Sequence, residues 1–380
     1  MSKYILMNKD RNMGRAEISD TSCKLICYDK RLDNIMRDPG RWLIDRVCFP
    51  DRTPIDNLCK IMGVTDVPSY INKTHAVSVT DCFWLQTEEE YNNKELSWEI
   101  VNPYNKPVDK QSVEIALTGK SLTADKSLDI YNPQIRLRGS VNKCIECNEA
   151  GELILVKGNI HNDTYNMTKK PYISYICSNI ANQLGLSNYV KYDIQENIVS
   201  AGYVKPYSIC KLYTNRNISS ISLRHSHFCR YNLTDLIEHF ESIDLALSAQ
   251  VIREMMLLDS LTLNPSRHID SIEFLYNPET FDIIGIAPIF NTDNALGIMQ
   301  DIDNRTIRGC YEELYYTSPR VWTSNFDNLA KLVMTDKLKA KLLKLDVKQL
   351  GLDRLTGLSD KRKKYIEYIL ETRRATLLKI

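Results

Sequence analysis

Leu261-Thr-Leu-Asn-Pro-Ser-Arg-His-Ile-Asp-Ser-Ile-Glu-Phe-Leu275, followed by Ile286-Ala-Pro-Ile-Phe-Asn-Thr-Asp-Asn-Ala-Leu-Gly297, decides how this 380-residue chain is read. The run 264–268 (Asn-Pro-Ser-Arg-His) is a turn-rich loop, since Asn, Pro and Ser favour turns. Residues 272–276 and 281–286 carry the β-branched and aromatic content of short strands, joined by the turn sequence Asn-Pro-Glu-Thr at 277–280. Upstream, Thr234 is expected to N-cap one long helix running to Leu258, with Glu238 in its first turns.

Further upstream, 141–147 and 152–157 read as a β-hairpin turning at 148–151. Apolar residues at helical spacing over 172–184, stopped by Gly185, predict a helix. The polar stretch 120–136 separates this region from an N-terminal segment. That segment shows strand signals at 21–28 and 77–85 and a helical pattern at 41–62, broken between Pro50 and Pro54. From Asn325 onward the chain is mostly helical and rich in Leu and Lys. This order of elements predicts an α+β, two-lobed architecture rather than a doubly wound sheet. The expected domains are an N-terminal accessory domain, 1–119, and a main domain, 133–380. The main domain divides into a small β-rich lobe (133–210) and a helical lobe (230–380).

Composition excludes several classes. Hydrophobic residues make up 43% and charged residues 26%, as in soluble globular proteins. A net charge of +1 gives no large basic surface, so nucleic acid is not the expected partner. No apolar stretch reaches the ~18 residues of a membrane span, so no membrane partner is expected either. The N-terminus lacks a signal-peptide core. The 11 cysteines, scattered along a long chain, read as reduced thiols of a cytoplasmic protein.

The two loop sequences resemble the catalytic and metal-binding loops of HipA-like kinases. In that family these loops read approximately N-x-D-R-H-x-x-N-x-G-F and A-P-I-F-D-x-G-x-S-L. Asn264, Arg267, His268, Phe274 and Leu275 fit the first; Ala287, Pro288, Ile289, Phe290 and Leu296 fit the second. Gly139, Ser140 and Lys143 resemble the family's phosphate loop, and Lys157 matches its nucleotide-binding lysine. The resemblance implies a kinase-like fold that takes ATP and Mg, with Ser266, Arg267, His268 and Ser271 at catalytic-loop positions and Asn291 and Asp293 in the metal loop. It also implies that Lys157, Ser266 and Asn291 line one cleft, and a bacterial or phage regulatory setting.

The departures from the family pattern concern the chemistry. The catalytic Asp falls on Ser266, a metal-holding Asn on Ser271 and the metal-binding Asp on Asn291. The helix position that supplies a Glu to the lysine falls near Ser174, and 164–192 holds no acidic residue. Phosphoryl transfer needs a group to accept the substrate proton and metal ions to neutralise phosphate charge. A serine is no base near neutral pH. The expected reading is therefore a pseudokinase or degenerate serine/threonine kinase that binds nucleotide weakly or not at all and acts through a protein partner. Two alternatives are an active divergent Ser/Thr kinase in which Asp270 or Asp293 replaces the lost carboxylates, and a nucleic-acid-binding regulator.

Other features have plain readings. Cys144 and Cys147 on one strand point to opposite faces, which does not suit zinc. His225 and His227 read as part of a solvated polar loop. The basic run 361–364 with Arg373 and Arg374 reads as a solvated helical face. The leucines of 342–350 read as packing residues.

Overall fold

The computed structural model describes residues 1–48, 53–105, 108–118, 134, 137, 141–158, 167–198 and 204–380. In chain order the first elements are strands β1 (Ser2–Asn8), β2 (Arg11–Ile18) and β3 (Cys23–Tyr28), then helices α1 (Pro39–Val47), α2 (Thr53–Ile61) and α3 (Val67–Thr74). There follow β4 (Phe83–Thr87), α4 (Glu88–Asn93), α5 (Trp98–Val101), α6 (Lys110–Thr118), β5 (Lys143–Cys147), β6 (Leu153–Lys157) and α7 (Lys170–Gln183). Next come β7 (Asp193–Ile198), β8 (Val204–Lys211), β9 (Ser219–Ser222), α8 (Leu233–Ser242), α9 (Ala246–Thr262), β10 (Glu273–Tyr276) and β11 (Ile283–Ile286). The chain finishes with α10 (Ile307–Tyr315), α11 (Phe326–Val333), α12 (Asp336–Leu343) and α13 (Asp360–Leu377). Two compact units form: Met1–His161 with Lys211–His227 and Phe274–Ile284, and Asn162–Cys210 with Phe228–Glu273 and Gly285–Ile380.

In the first unit an antiparallel sheet runs in the order β3-β2-β1-β4. Its β1–β2 hairpin went unread in the sequence, although Tyr4 to Met7 is an apolar run followed by a turn at Lys9, which takes a left-handed φ of 50°. The strand expected over 77–85 begins only at Phe83. Ahead of it, the Thr80 N–H donates to the Ser78 hydroxyl (3.2 Å) and the Phe83 N–H to Asp81 (2.9 Å). Such local side-chain bonds draw backbone donors away from a ladder. Ile5, Met7, Val77, Cys82, Trp84, Trp98 and Val101 form a core on this sheet. Beside it the Arg46–Asp81 ion pair (2.7 Å) is buried, and His225 pairs with Asp45 (3.2 Å). His225 is 8% exposed, so the solvated reading is corrected for that residue, while His227 is exposed; the burial of His225 goes with the acidic partner 180 positions earlier in the chain.

The second unit is built on α9, which is buried on nearly every face, with α8, α11 and α13 packed against it. A helix apolar all round belongs in the interior. The single helix expected from 234 to 258 is two helices. Asp244 adopts a left-handed φ of 60° between α8 and α9, a conformation that Asp tolerates better than most residues. The N-cap is Asn232 rather than Thr234: its side chain accepts the Asp235 N–H (2.9 Å), and Asp235 reaches back in a capping box. Asn232→Ala is expected to cost about 1 kcal/mol of stability and Thr234→Ala much less. Urea denaturation of both variants reads the difference directly.

Two arginines of α13 correct the solvated reading of its basic residues. Arg362 donates to the Gly297 carbonyl (2.9 Å). Arg373 donates to the Ser260 carbonyl (2.9 Å) and to Asp327 (2.6 Å). Both share the inward stripe with Tyr365, Ile366, Ile369 and Leu370. Charge alone marked them as surface residues, and only the apolar periodicity around them signals otherwise.

Candidate functional site: the kinase-like loops and the lysine pair

α9 ends where Leu263 turns left-handed (φ 49°), and the Asn264 N–H returns to the Asp259 carbonyl (3.1 Å). This turn throws the loop 264–271 across the end of the helix. Asp259, in the last turn, is fully buried. Its carboxylate accepts from Arg267 at Nε (2.7 Å) and at the second terminal nitrogen (3.1 Å), and from the Asn264 amide (2.9 Å). The other terminal nitrogen of Arg267 donates to the carbonyls of Ser271 (2.9 Å) and Phe290 (2.7 Å). One guanidinium thus fastens α9, the first loop and the second loop together. Arg267 is fully buried and its donors are taken up in this way.

His268 and Ser271 close a turn on each other. The Ser271 hydroxyl accepts the His268 N–H (2.9 Å) and donates to the His268 carbonyl (2.8 Å). Its proton and one lone pair are therefore engaged in the backbone. The Asp270 N–H donates to His268 Nδ1 (3.2 Å), which makes Nδ1 an acceptor. The Asp270 carboxylate lies 3.8 Å from the same nitrogen, in a half-exposed pair that contributes little. Ser266 is half-buried; its N–H donates to the Asn264 side chain (3.2 Å).

In the second loop Asn291 takes a left-handed φ of 60°, and its carbonyl accepts from the Asn264 amide (3.2 Å). Asn and Asp are the non-glycine residues that enter this region most easily. Asn291 therefore keeps the conformational preference of an aspartate at this position without its charge. Asp293 is 7% exposed, accepts from the Asn294 amide (3.2 Å), and has no ion pair among the described residues. On α7 the buried Cys177 thiol points at the Thr292 carbonyl (3.9 Å), and burial holds its pKa well above the ordinary thiol range. Ser174, one turn earlier, is buried, and α7 carries no acidic residue.

Among the described residues no three His, Cys, Asp or Glu side chains group as metal ligands. The loops offer the Ser271 hydroxyl, engaged with the backbone, the neutral Asn291 amide, the buried Asp293 carboxylate and the half-buried Asp270 carboxylate. Mg takes oxygen ligands with one or two carboxylates among them, so these donors are of the right kind and carry less charge than the resembled loop pattern implies.

In the first unit, β5 and β6 pair antiparallel with Lys143 directly opposite Lys157. The Gly158 N–H bonds the Asn142 carbonyl (2.9 Å), so the adjoining Lys143–Lys157 pair is the closer, non-hydrogen-bonded kind. Both side chains lie on one face, and both residues are buried, at 9% and 8% exposure. Like charges set directly opposite each other are unfavourable in a sheet. Gly139 and Ser140 lie outside the described residues.

Asp259 was not singled out in the sequence. Its signal was a lone carboxylate inside the apolar run of α9, eight residues before Arg267.

Among solved structures, HipA of Shewanella oneidensis MR-1, in a complex with HipB and operator DNA, is similar over 99% of this chain and 97% of that one. The TM-score is 0.51 and the sequence identity 12%. The proinflammatory kinase CtkA of Helicobacter pylori is similar over 64% of this chain and 90% of its own, with a TM-score of 0.49 and 17% identity. No protein-family model matches the chain, and no curated protein matches it. The molecule is a mixed α/β protein with a kinase-like architecture. Its fold is that of the HipA-like kinases.

Proposed function

We propose that this chain is a HipA-like pseudokinase, a cytoplasmic regulatory protein that acts by binding a protein partner and does not transfer phosphate. The observation that carries this reading is the state of the first loop. Ser266 stands where the family has its base, and the hydroxyl of Ser271 is spent on the backbone of His268. The fully buried carboxylate that this loop bonds, Asp259, is committed to Arg267. Residues 1–119 are proposed as an accessory domain ahead of the kinase-fold domain 133–380.

Lys157, which matches the resembled family's nucleotide-binding lysine and pairs in the ladder with Lys143, supports residual contact with the phosphates of ATP. A calorimetric titration with ATP tests this. Affinity is expected to be weak, unchanged by magnesium, and lower in Lys157→Ala. ATP binding that tightens strongly with magnesium would count against the proposal.

One observation favours the alternative of an active divergent kinase. Asp293 is a buried carboxylate without a cationic partner among the described residues, and such a group is costly unless a cation joins it. Loss of magnesium-dependent ATP binding in Asp293→Ala would favour that alternative, which then requires phosphoryl transfer.

A further inference from the structure

We propose that residues 320–322, together with Arg230 and Tyr231, form a docking surface for an acidic, aromatic-containing peptide segment of a protein partner. The inference names the partner class of the interaction protein proposed above and rests on that reading, though not on nucleotide binding.

Residues 320–322 are fixed at both ends. The N–H groups of Arg320 and Val321 both donate to the Arg267 carbonyl, at 2.8 and 3.0 Å. The Trp322 indole N–H donates to the Tyr231 carbonyl (3.0 Å). Trp322 itself is held at a left-handed φ of 51°. A bulky residue enters that region only where its surroundings enforce it, and such strain gathers at ligand-binding positions. The segment thus joins the kinase-like loop to an aromatic cluster.

That cluster is anchored from below and open above. Phe228 packs on the buried Phe240 (5.5 Å) and edge-on to Tyr231 (5.6 Å), and His239 stands at 89° to Tyr231 (5.7 Å). Tyr231 is 36% exposed, and Trp322 is half-buried. Flanking them, Arg230 and Arg320 are exposed, and neither has an ion pair among the described residues. Of the neighbouring acids, Asp235 is occupied in the α8 cap, which leaves Glu238.

Trp, Tyr and Arg are the residue types that dominate interface energetics, and Arg binds carboxylates in bidentate fashion. Single-stranded nucleic acid is disfavoured. Its binding needs several phosphates neutralised, whereas this surface offers two free arginines on a chain of net charge +1.

The test uses the full chain and a fluorescein-labelled random copolymer of Glu and Tyr, followed by anisotropy. Of the four tryptophans, Trp42, Trp84 and Trp98 are 8%, 0% and 7% exposed, so acrylamide quenching reports mainly on Trp322. Saturable, salt-weakened binding is expected, with protection of Trp322 from quenching and about tenfold lower affinity in the Arg230→Ala/Arg320→Ala double variant. Both substitutions are at exposed positions, and circular dichroism confirms that the fold is retained. Absence of saturable binding, equal affinity in the double variant, or tighter binding of an oligothymidylate than of the copolymer would each overturn the inference. A chain that transfers phosphate yet binds the copolymer through these arginines would retire the pseudokinase reading and keep the docking surface; inactivity without copolymer binding would do the reverse.

Discussion

Arg267→Ala is expected to lower the unfolding free energy by about 3–5 kcal/mol, a large share of the about 5–15 kcal/mol of an ordinary domain. The substitution leaves the Asp259 carboxylate fully buried without its cation, at the C-terminal end of α9, where the helix dipole already opposes negative charge. It also strands the carbonyls of Ser271 and Phe290. Asp259→Ala is expected to cost a similar amount by orphaning the guanidinium. Replacing both residues by apolar ones of similar volume, as in Arg267→Met/Asp259→Leu, is expected to cost less than the two single losses combined, because no buried charge then remains unpaired. Guanidinium denaturation of the three variants measures this. If Arg267→Ala stays within about 1 kcal/mol of the parent, the guanidinium is not the fastening between the two loops. A loss of function in any Arg267 variant is therefore expected to accompany a loss of structure.

What could be read in advance followed from local signals. The β5–β6 hairpin, the helix α7 with its left-handed Gly185, and the loop–hairpin succession through β10 and β11 all lie within short stretches whose turn residues and periodicity agree. Some failures came from contacts distant in sequence. His225 reads as a polar loop residue until Asp45 is beside it, and Arg362 and Arg373 read as surface charge until their carbonyl partners on other segments appear. The start of β4 was misplaced because Ser78, Thr80 and Asp81 bind their own backbone in a stretch whose β-branched content otherwise suits a strand. At the site, residue identities put Ser266, Ser271 and Asn291 where the resembled loop pattern has Asp, Asn and Asp. Two facts were not visible there: that the Ser271 hydroxyl turns back onto His268, and that Asn291 keeps the left-handed backbone an aspartate could adopt. Both depend on φ and on hydrogen-bond direction, which residue identity alone does not specify.

Phosphoryl transfer is expected to be absent, a larger effect than the loss of stability in Arg267→Ala. General acid–base assistance contributes about 10²- to 10⁴-fold to a rate. Electrostatic stabilisation of the transferring group usually contributes more than any other effect, and in phosphoryl transfer the metal ions supply much of it. On the proposed reading, Ser266 in place of the base removes the first contribution, and Ser271 with Asn291 in place of the metal ligands weakens the second. These losses need not add, since groups that act as a unit do not. Either one alone takes an ordinary kinase turnover of about 1–100 s⁻¹ down toward background. The most direct measurement is transfer of radiolabelled phosphate from ATP, with magnesium and with manganese, to the chain itself and to a general protein acceptor, beside a Lys157→Ala control. A pseudokinase gives no signal above that control with either metal. Clear metal-dependent transfer that disappears in Lys157→Ala would contradict the pseudokinase reading, and loss of that transfer in Asp293→Ala would name the carboxylate responsible.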